Sequence, residues 1–163
     1  MQMAKRMAAV LSLLAALLVG TVCYAAIADE GIAIGGIYYH APASYVTDIY
    51  GAPARTVSTA AHPLWKGQVD TYYYGDSFQV VLCDGQVVHV TSKNNNGLGT
   101  PAGAAVGMTE AALMDLYGAG EAVTDKAGVV IAHYYGSEAD ASVGLKASVR
   151  DGIVTELSAG AFD

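Results

Sequence analysis

Val46-Thr47-Asp48-Ile49-Tyr50-Gly51 returns 67 positions later as Leu113-Met114-Asp115-Leu116-Tyr117-Gly118. Asp84-Gly85-Gln86-Val87 returns at the same offset of 67 as Asp151-Gly152-Ile153-Val154. Between them, Tyr73-Tyr74-Gly75 matches Tyr134-Tyr135-Gly136 at an offset of 61, so six residues pass from one loop to the next. Three matches in one order, two at one spacing, read as two copies of a single unit. The copies span residues 29–92 and 108–163, with 93–107 as a linker that opens on Lys93-Asn94-Asn95-Asn96-Gly97. Clusters of Asn, Gly and Pro between periodic segments are loop signals.

Each copy predicts a helix, then strands. Thr109 suits an N-cap, and Glu110 suits the positive helix start. Leu113, Leu116 and Tyr117 fall at i, i+3 and i+4 on one apolar face, as do Val46, Ile49 and Tyr50. Gly51 and Gly118 are placed to close the helices in the left-handed conformation. Val143, Leu145, Ala147 and Val149 alternate with polar or small residues, which predicts a half-buried strand. Phe78, Val80 and Leu82 do the same in the first copy. Asp84-Gly85 and Asp151-Gly152 then predict hairpin turns. With earlier strands at 68–74 and 129–135, the expectation is an α+β chain. It consists of two tandem units, each a helix plus a three-stranded antiparallel meander, forming one curved sheet backed by helices.

A helix ending in Tyr50-Gly51-Ala52-Pro53, a Tyr-rich strand and an Asp-Gly hairpin resemble the β-lactamase-inhibitor-protein-like fold. That group includes the small lipoprotein subunit of the outer-membrane β-barrel assembly machinery. Tandem copies are similar to the inhibitor proteins, and the resemblance covers roughly residues 35–158. Two departures stand out. Gly120 replaces the expected Pro in the second copy, and Cys83 has no partner for the intra-repeat disulfides of the inhibitor proteins.

Lys5 and Arg6 precede an uncharged run from Met7 to Ala28 with a Leu-rich centre. A basic start, an apolar run and small residues at its end make a secretory signal over 1–28. Cleavage after Ala25 or after Ala28 satisfies the small-residue requirement. An uncleaved anchor and a lipoprotein modified at Cys23 are the alternatives. Loss of Lys5 and Arg6 takes the bases from 8 to 6 against 15 acids, so the exported chain carries −9. The expected location is periplasmic or extracellular, without stable membrane insertion after cleavage. The bases are dispersed along the chain, which argues against nucleic acid as a partner.

No His forms a His-x-His or His-Glu-x-x-His pattern, so neither metal nor cofactor is expected. Gly75-Asp76-Ser77 resembles the nucleophile block of a lipase and esterase family, but no His follows His133 to serve as base. A hydrolase using Ser77 is therefore the second alternative, and no catalytic residue is assigned. Eleven Tyr against two Phe is the more telling feature, because Tyr presents an apolar ring with a polar tip. Aligning Tyr73 with Tyr134 places Val69, Thr71, Val130 and Ala132 on one candidate core face. Tyr72, Tyr74, His133 and Tyr135 then line the opposite, open face. Cys83, alone after export, is a candidate intermolecular thiol. The expected function is a non-enzymatic protein-binding or envelope-scaffold module using that aromatic face. The alternative is an exported enzyme inhibitor using the same face and the Asp76 and Glu138 turns.

Overall fold

A computed structural model describes residues 26–60 and 62–162. Residues 1–25 of the expected signal over 1–28, with its lipoprotein and anchor alternatives, lie outside the described residues. Among the described residues, no helix is long and apolar enough to cross a membrane.

The chain is α+β. A 3-10 turn (Asp29–Gly31) and a short hairpin of β1 (Ala33–Ile34) and β2 (Ile37–Tyr38) lead into α1 (Ala43–Tyr50). Then come β3 (Arg55–Thr59), β4 (Val69–Tyr74), β5 (Phe78–Cys83) and β6 (Gln86–Lys93). After a long connection come α2 (Glu110–Tyr117), β7 (Glu121–Thr124), β8 (Val130–Gly136), β9 (Val143–Arg150) and β10 (Ile153–Ala161). Strands β3 to β10 form one eight-stranded antiparallel sheet in the order β3-β4-β5-β6-β10-β9-β8-β7.

Each helix is therefore followed by four strands, not the three expected. The extra strands, β3 and β7, are the two edges of the sheet, and every residue in them is exposed. Edge strands recruited by backbone pairing need no apolar alternation, so periodicity does not reveal them.

Local chemistry sets the helix limits. Thr109 accepts the Ala112 N–H at 3.2 Å, which satisfies one of the orphan donors of α2. Pro42 caps α1, where it lacks a donor that would otherwise need a partner. Gly51 and Gly118 end the helices at φ 74° and 76°, where a side chain would strain the backbone. The helices touch the core through Val46 with Tyr50 and Leu113 with Tyr117, and α1 adds Ala43 and Tyr45. Ile49 and Leu116, expected on the same face, are 47% and 43% exposed. Two turns of helix lying on a sheet bury one stripe, and Ile49 and Leu116 fall outside it.

The hairpin turns are as expected. Asp84 and Gly85 have φ 48° and 79°, and Asp151 and Gly152 have φ 53° and 72°. Two successive positive φ values match the twist of the flanking strands.

The core lies between the helices and one sheet face. It gathers Phe78, Val80, Leu82, Val90, Leu145, Ala147 and Leu157 with Val46, Leu113 and the hairpin residues Ile34 and Ile37. Full burial of such side chains stabilises by about 1.5–3 kcal/mol each. The stretch read as a linker joins this core. Ala104 and Val106 are buried, Leu98 packs against them, and the Gly35 N–H donates to Gly99 O at 2.9 Å.

Candidate functional site

Residues directly opposite one another on neighbouring strands share a sheet face. One row crosses all eight strands: Arg55, Tyr73, Gln79, Thr91, Ser158, Lys146, Tyr134 and Glu121. The row beside it runs Tyr74, Phe78, Ser92, Leu157, Ala147, His133 and Ala122. The second row contains core residues and faces the helices. The first faces away from them.

This reverses the expected faces. Tyr135 is fully buried, its ring 5.2 Å from Tyr117, and its hydroxyl donates to Gly118 O at 3.3 Å. Burial, with Tyr117 and Glu110 nearby, pushes its pKa up to about 12. His133 is also buried. Its Nε2 lies 2.5 Å from Glu110 Oε1, while Nδ1 has no partner. Tyr72 and Tyr74 are half-buried against the core, and the Tyr74 hydroxyl donates to Gly51 O at 3.1 Å. These four side chains sit between sheet and helices and do not line an open face.

The uncovered face carries Tyr73 and Tyr134 instead. The Arg55 guanidinium stands 3.7 Å from the Tyr73 ring centre, a cation–π contact. Phe162, just past β10, folds onto this face. Its ring lies 5.4 Å from Tyr134 and 5.0 Å from His89, and Lys146 Nζ is 5.2 Å away. Beside it, a cleft of about 620 Å³ is lined by Glu121, Val123, Tyr134, Lys146 and Phe162. Burial holds the His89 pKa below its usual 6.5, and Lys146 pushes it the same way. The Ala161 carbonyl and Glu156 oppose them. Burial, with Asp140 and Glu121 nearby, raises the Tyr134 pKa.

The fold also collects charge that the sequence scatters. Six bases follow residue 25, and four of them, Arg55, Lys93, Lys146 and Arg150, project from the uncovered face by register. Only Glu121 and Glu156 join them there from the strands, and Glu156 is paired with Lys93 at 3.3 Å. An acidic chain thus presents one face with a basic and aromatic character. Linear spacing could not reveal the whole set, because the four bases lie on three different strands, β3, β6 and β9.

Cys83 is half-buried on the uncovered face, opposite Val69. Its thiol donates to Lys66 O at 3.7 Å, so the 62–68 loop turns onto that end of the sheet. Ser77 closes the β4–β5 turn, where its hydroxyl accepts from Asn96 Nδ2 at 3.2 Å. No recorded hydrogen bond joins Ser77 to a His among the described residues. A larger cleft, about 760 Å³, lies at the N-terminal end between Asp29, Tyr38, Tyr39, His40 and Asp140. Two of its carboxylates are already engaged: Asp29 by the Ser137 hydroxyl, and Asp140 by the Ser142 N–H and hydroxyl. Among the described residues, no group of three or more His, Cys, Asp or Glu could hold a metal.

No protein-family model matches the chain, and no curated protein matches it. Among solved structures, a crystal structure of a cysteine-rich secretory protein from Staphylococcus aureus is similar at a TM-score of 0.46 and 8% sequence identity. The match covers 75% of this chain and 43% of that one, so the chain spans less than half of that protein. A likeness this low carries no argument about function.

Proposed function

We propose that the chain is an exported, non-enzymatic protein-binding module or envelope scaffold, and that it holds an acidic partner on the uncovered sheet face. The observation that carries this reading is the gathering of Arg55, Lys93, Lys146 and Arg150 with Tyr73, Tyr134 and Phe162 on the face opposite the helices. The fold does not need aromatics there, and Tyr and Arg are the residue types that anchor interfaces. Opposite charge on the partner would steer encounter and select against basic competitors.

The finer reading of the fold is two copies of one unit, in the manner of the tandem β-lactamase-inhibitor-like proteins. Equivalent contacts support it. Tyr74 donates to Gly51 O as Tyr135 donates to Gly118 O. The Ala43 N–H donates to Gly85 O at 2.9 Å, as the Glu110 N–H donates to Gly152 O at 2.9 Å. Thr91 and Ser158, 67 positions apart, face each other where β6 meets β10, with hydroxyl oxygens 3.3 Å apart.

The test is affinity capture from an envelope extract with the native chain, Lys146→Glu/Tyr73→Ala, and Leu116→Gln on the helix side. The face variant should lose capture tenfold or more, about 1.4 kcal/mol or above. The helix-side variant should keep it, and native capture should weaken with added salt. Equal capture by all three would refute the face. A captured enzyme that loses activity would move the reading from scaffold to inhibitor.

A further inference from the structure

We infer that the mature chain begins at Ala26, with the leader removed by hydrolysis of the Ala25–Ala26 peptide bond. This rests on reading the first residues as an export signal. In the step, one water adds across the amide, leaving a carboxylate on Ala25 and an α-amino group on Ala26. The catalyst is a leader peptidase that reads small side chains. The sequence permits a second bond, after Ala28, with equal chemistry. The two cuts differ in what they take from the folded body.

Ile27 belongs to that body. Its side chain is 8% exposed and joins the core cluster. It presses so closely on Gly31 that a Cβ there would stand 2.6 Å from its Cγ2. Its N–H donates to Gly136 O at 2.9 Å, and its carbonyl accepts the Glu138 N–H at 3.1 Å. These bonds pair Ile27 with Ser137 at the end of β8. Ala28 O accepts the Gly31 N–H at 2.8 Å and closes the Asp29–Gly31 turn.

A cut after Ala28 would remove a buried aliphatic side chain and both backbone bonds to the end of β8. It would also strip the acceptor from the Asp29–Gly31 turn. A cut after Ala25 removes none of these. It leaves Ala26, which is exposed, as a one-residue overhang before the first backbone bond to the sheet.

The experiment expresses the full chain in an exporting host and reads the released protein by intact mass and N-terminal sequencing. The expected product starts at Ala26. A start at Asp29, or a lipid-bearing start at Cys23, would overturn the inference while leaving export standing. A start at Met1 would overturn the export reading itself. Two variants tighten the result. Ala25→Leu should lose the product that starts at Ala26, whereas Ala28→Leu should be cut at the same bond as the native chain. A chain produced to start at Asp29 should unfold at lower urea than one starting at Ala26. Equal midpoints would also count against the inference.

Discussion

Tyr135→Ala and Tyr73→Ala discriminate the two sheet faces. Tyr135 is fully buried, and its ring lies so near the backbone that a Cβ on Gly120 would stand 2.8 Å from it. Backbone walls cannot close over the hole that truncation leaves, so the cost falls toward the upper part of the roughly 3–5 kcal/mol range for aromatic-to-Ala changes in cores. The variant also strands the Gly118 carbonyl, which now accepts the tyrosine hydroxyl at 3.3 Å. Losing that bond adds about 0.5–1.5 kcal/mol. A total of about 5–6 kcal/mol is a large share of the roughly 5–15 kcal/mol that holds an ordinary domain folded. For a chain of this size each kcal/mol moves the midpoint by about 2–4 °C, so Tyr135→Ala should melt about 10–24 °C lower. Tyr73 is half-buried on the other face, with Arg55 stacked over it at 3.7 Å. An exposed cation–π contact contributes about 0.5–1 kcal/mol, so Tyr73→Ala should cost about 1 kcal/mol with its partial burial included. Thermal and urea unfolding followed by circular dichroism reads both. A Tyr73→Ala variant that loses as much stability as Tyr135→Ala would mean that the tyrosines facing the helices have been misassigned.

His89 supplies a pH signature. Its pKa is lower folded than unfolded, so near and below pH 6.5 the unfolded chain binds more protons. This contribution is complete above pH 6.5 and is lost as pH falls through the folded value. Between about pH 7.5 and about pH 5 the native urea midpoint should fall further than that of His89→Gln, and parallel curves would contradict the burial of this ring. Two glycines separate steric from backbone strain. At Gly144 a Cβ would stand 2.3 Å from Tyr135 O on the paired strand, whereas at Gly152 the space is open and only φ 72° resists. Gly144→Ala should cost about 3 kcal/mol or more, and Gly152→Ala about 1–2 kcal/mol. A reversed order of urea midpoints would place the β8–β9 register in error.

The helices, their glycine ends and the Asp-Gly hairpins were legible because each depends on a local rule carried by a few adjacent residues. The sheet faces were not read from β4 and β8 alone. In β4, Val69, Thr71 and Tyr73 look as suited to a core as Asp70, Tyr72 and Tyr74, since both sets mix apolar and polar groups. What decides is the neighbouring strand. Phe78, Val80 and Leu82 point inward, and Tyr74 pairs with Phe78 across a turn of three residues. Cross-strand partners share a face, so Tyr74 and Tyr72 must point inward as well. That inference was open to sequence reading once the turn length was fixed. In the second half it was not, because six residues separate Gly136 from Val143 and leave the pairing of β8 with β9 undetermined. The uncovered face was less accessible still. Its character arises from Arg55, Lys93, Lys146 and Arg150; the alternation of β9 links the last two, but only the strand order brings all four to one side. The same logic accounts for His133. A histidine at the centre of a strand gives no sign of its partner, yet pairing with Ala147 turns it toward the start of α2, where Glu110 meets its Nε2. Burial there is tolerable because a carboxylate receives the ring, so the residue expected to contact a partner instead ties a helix to the sheet.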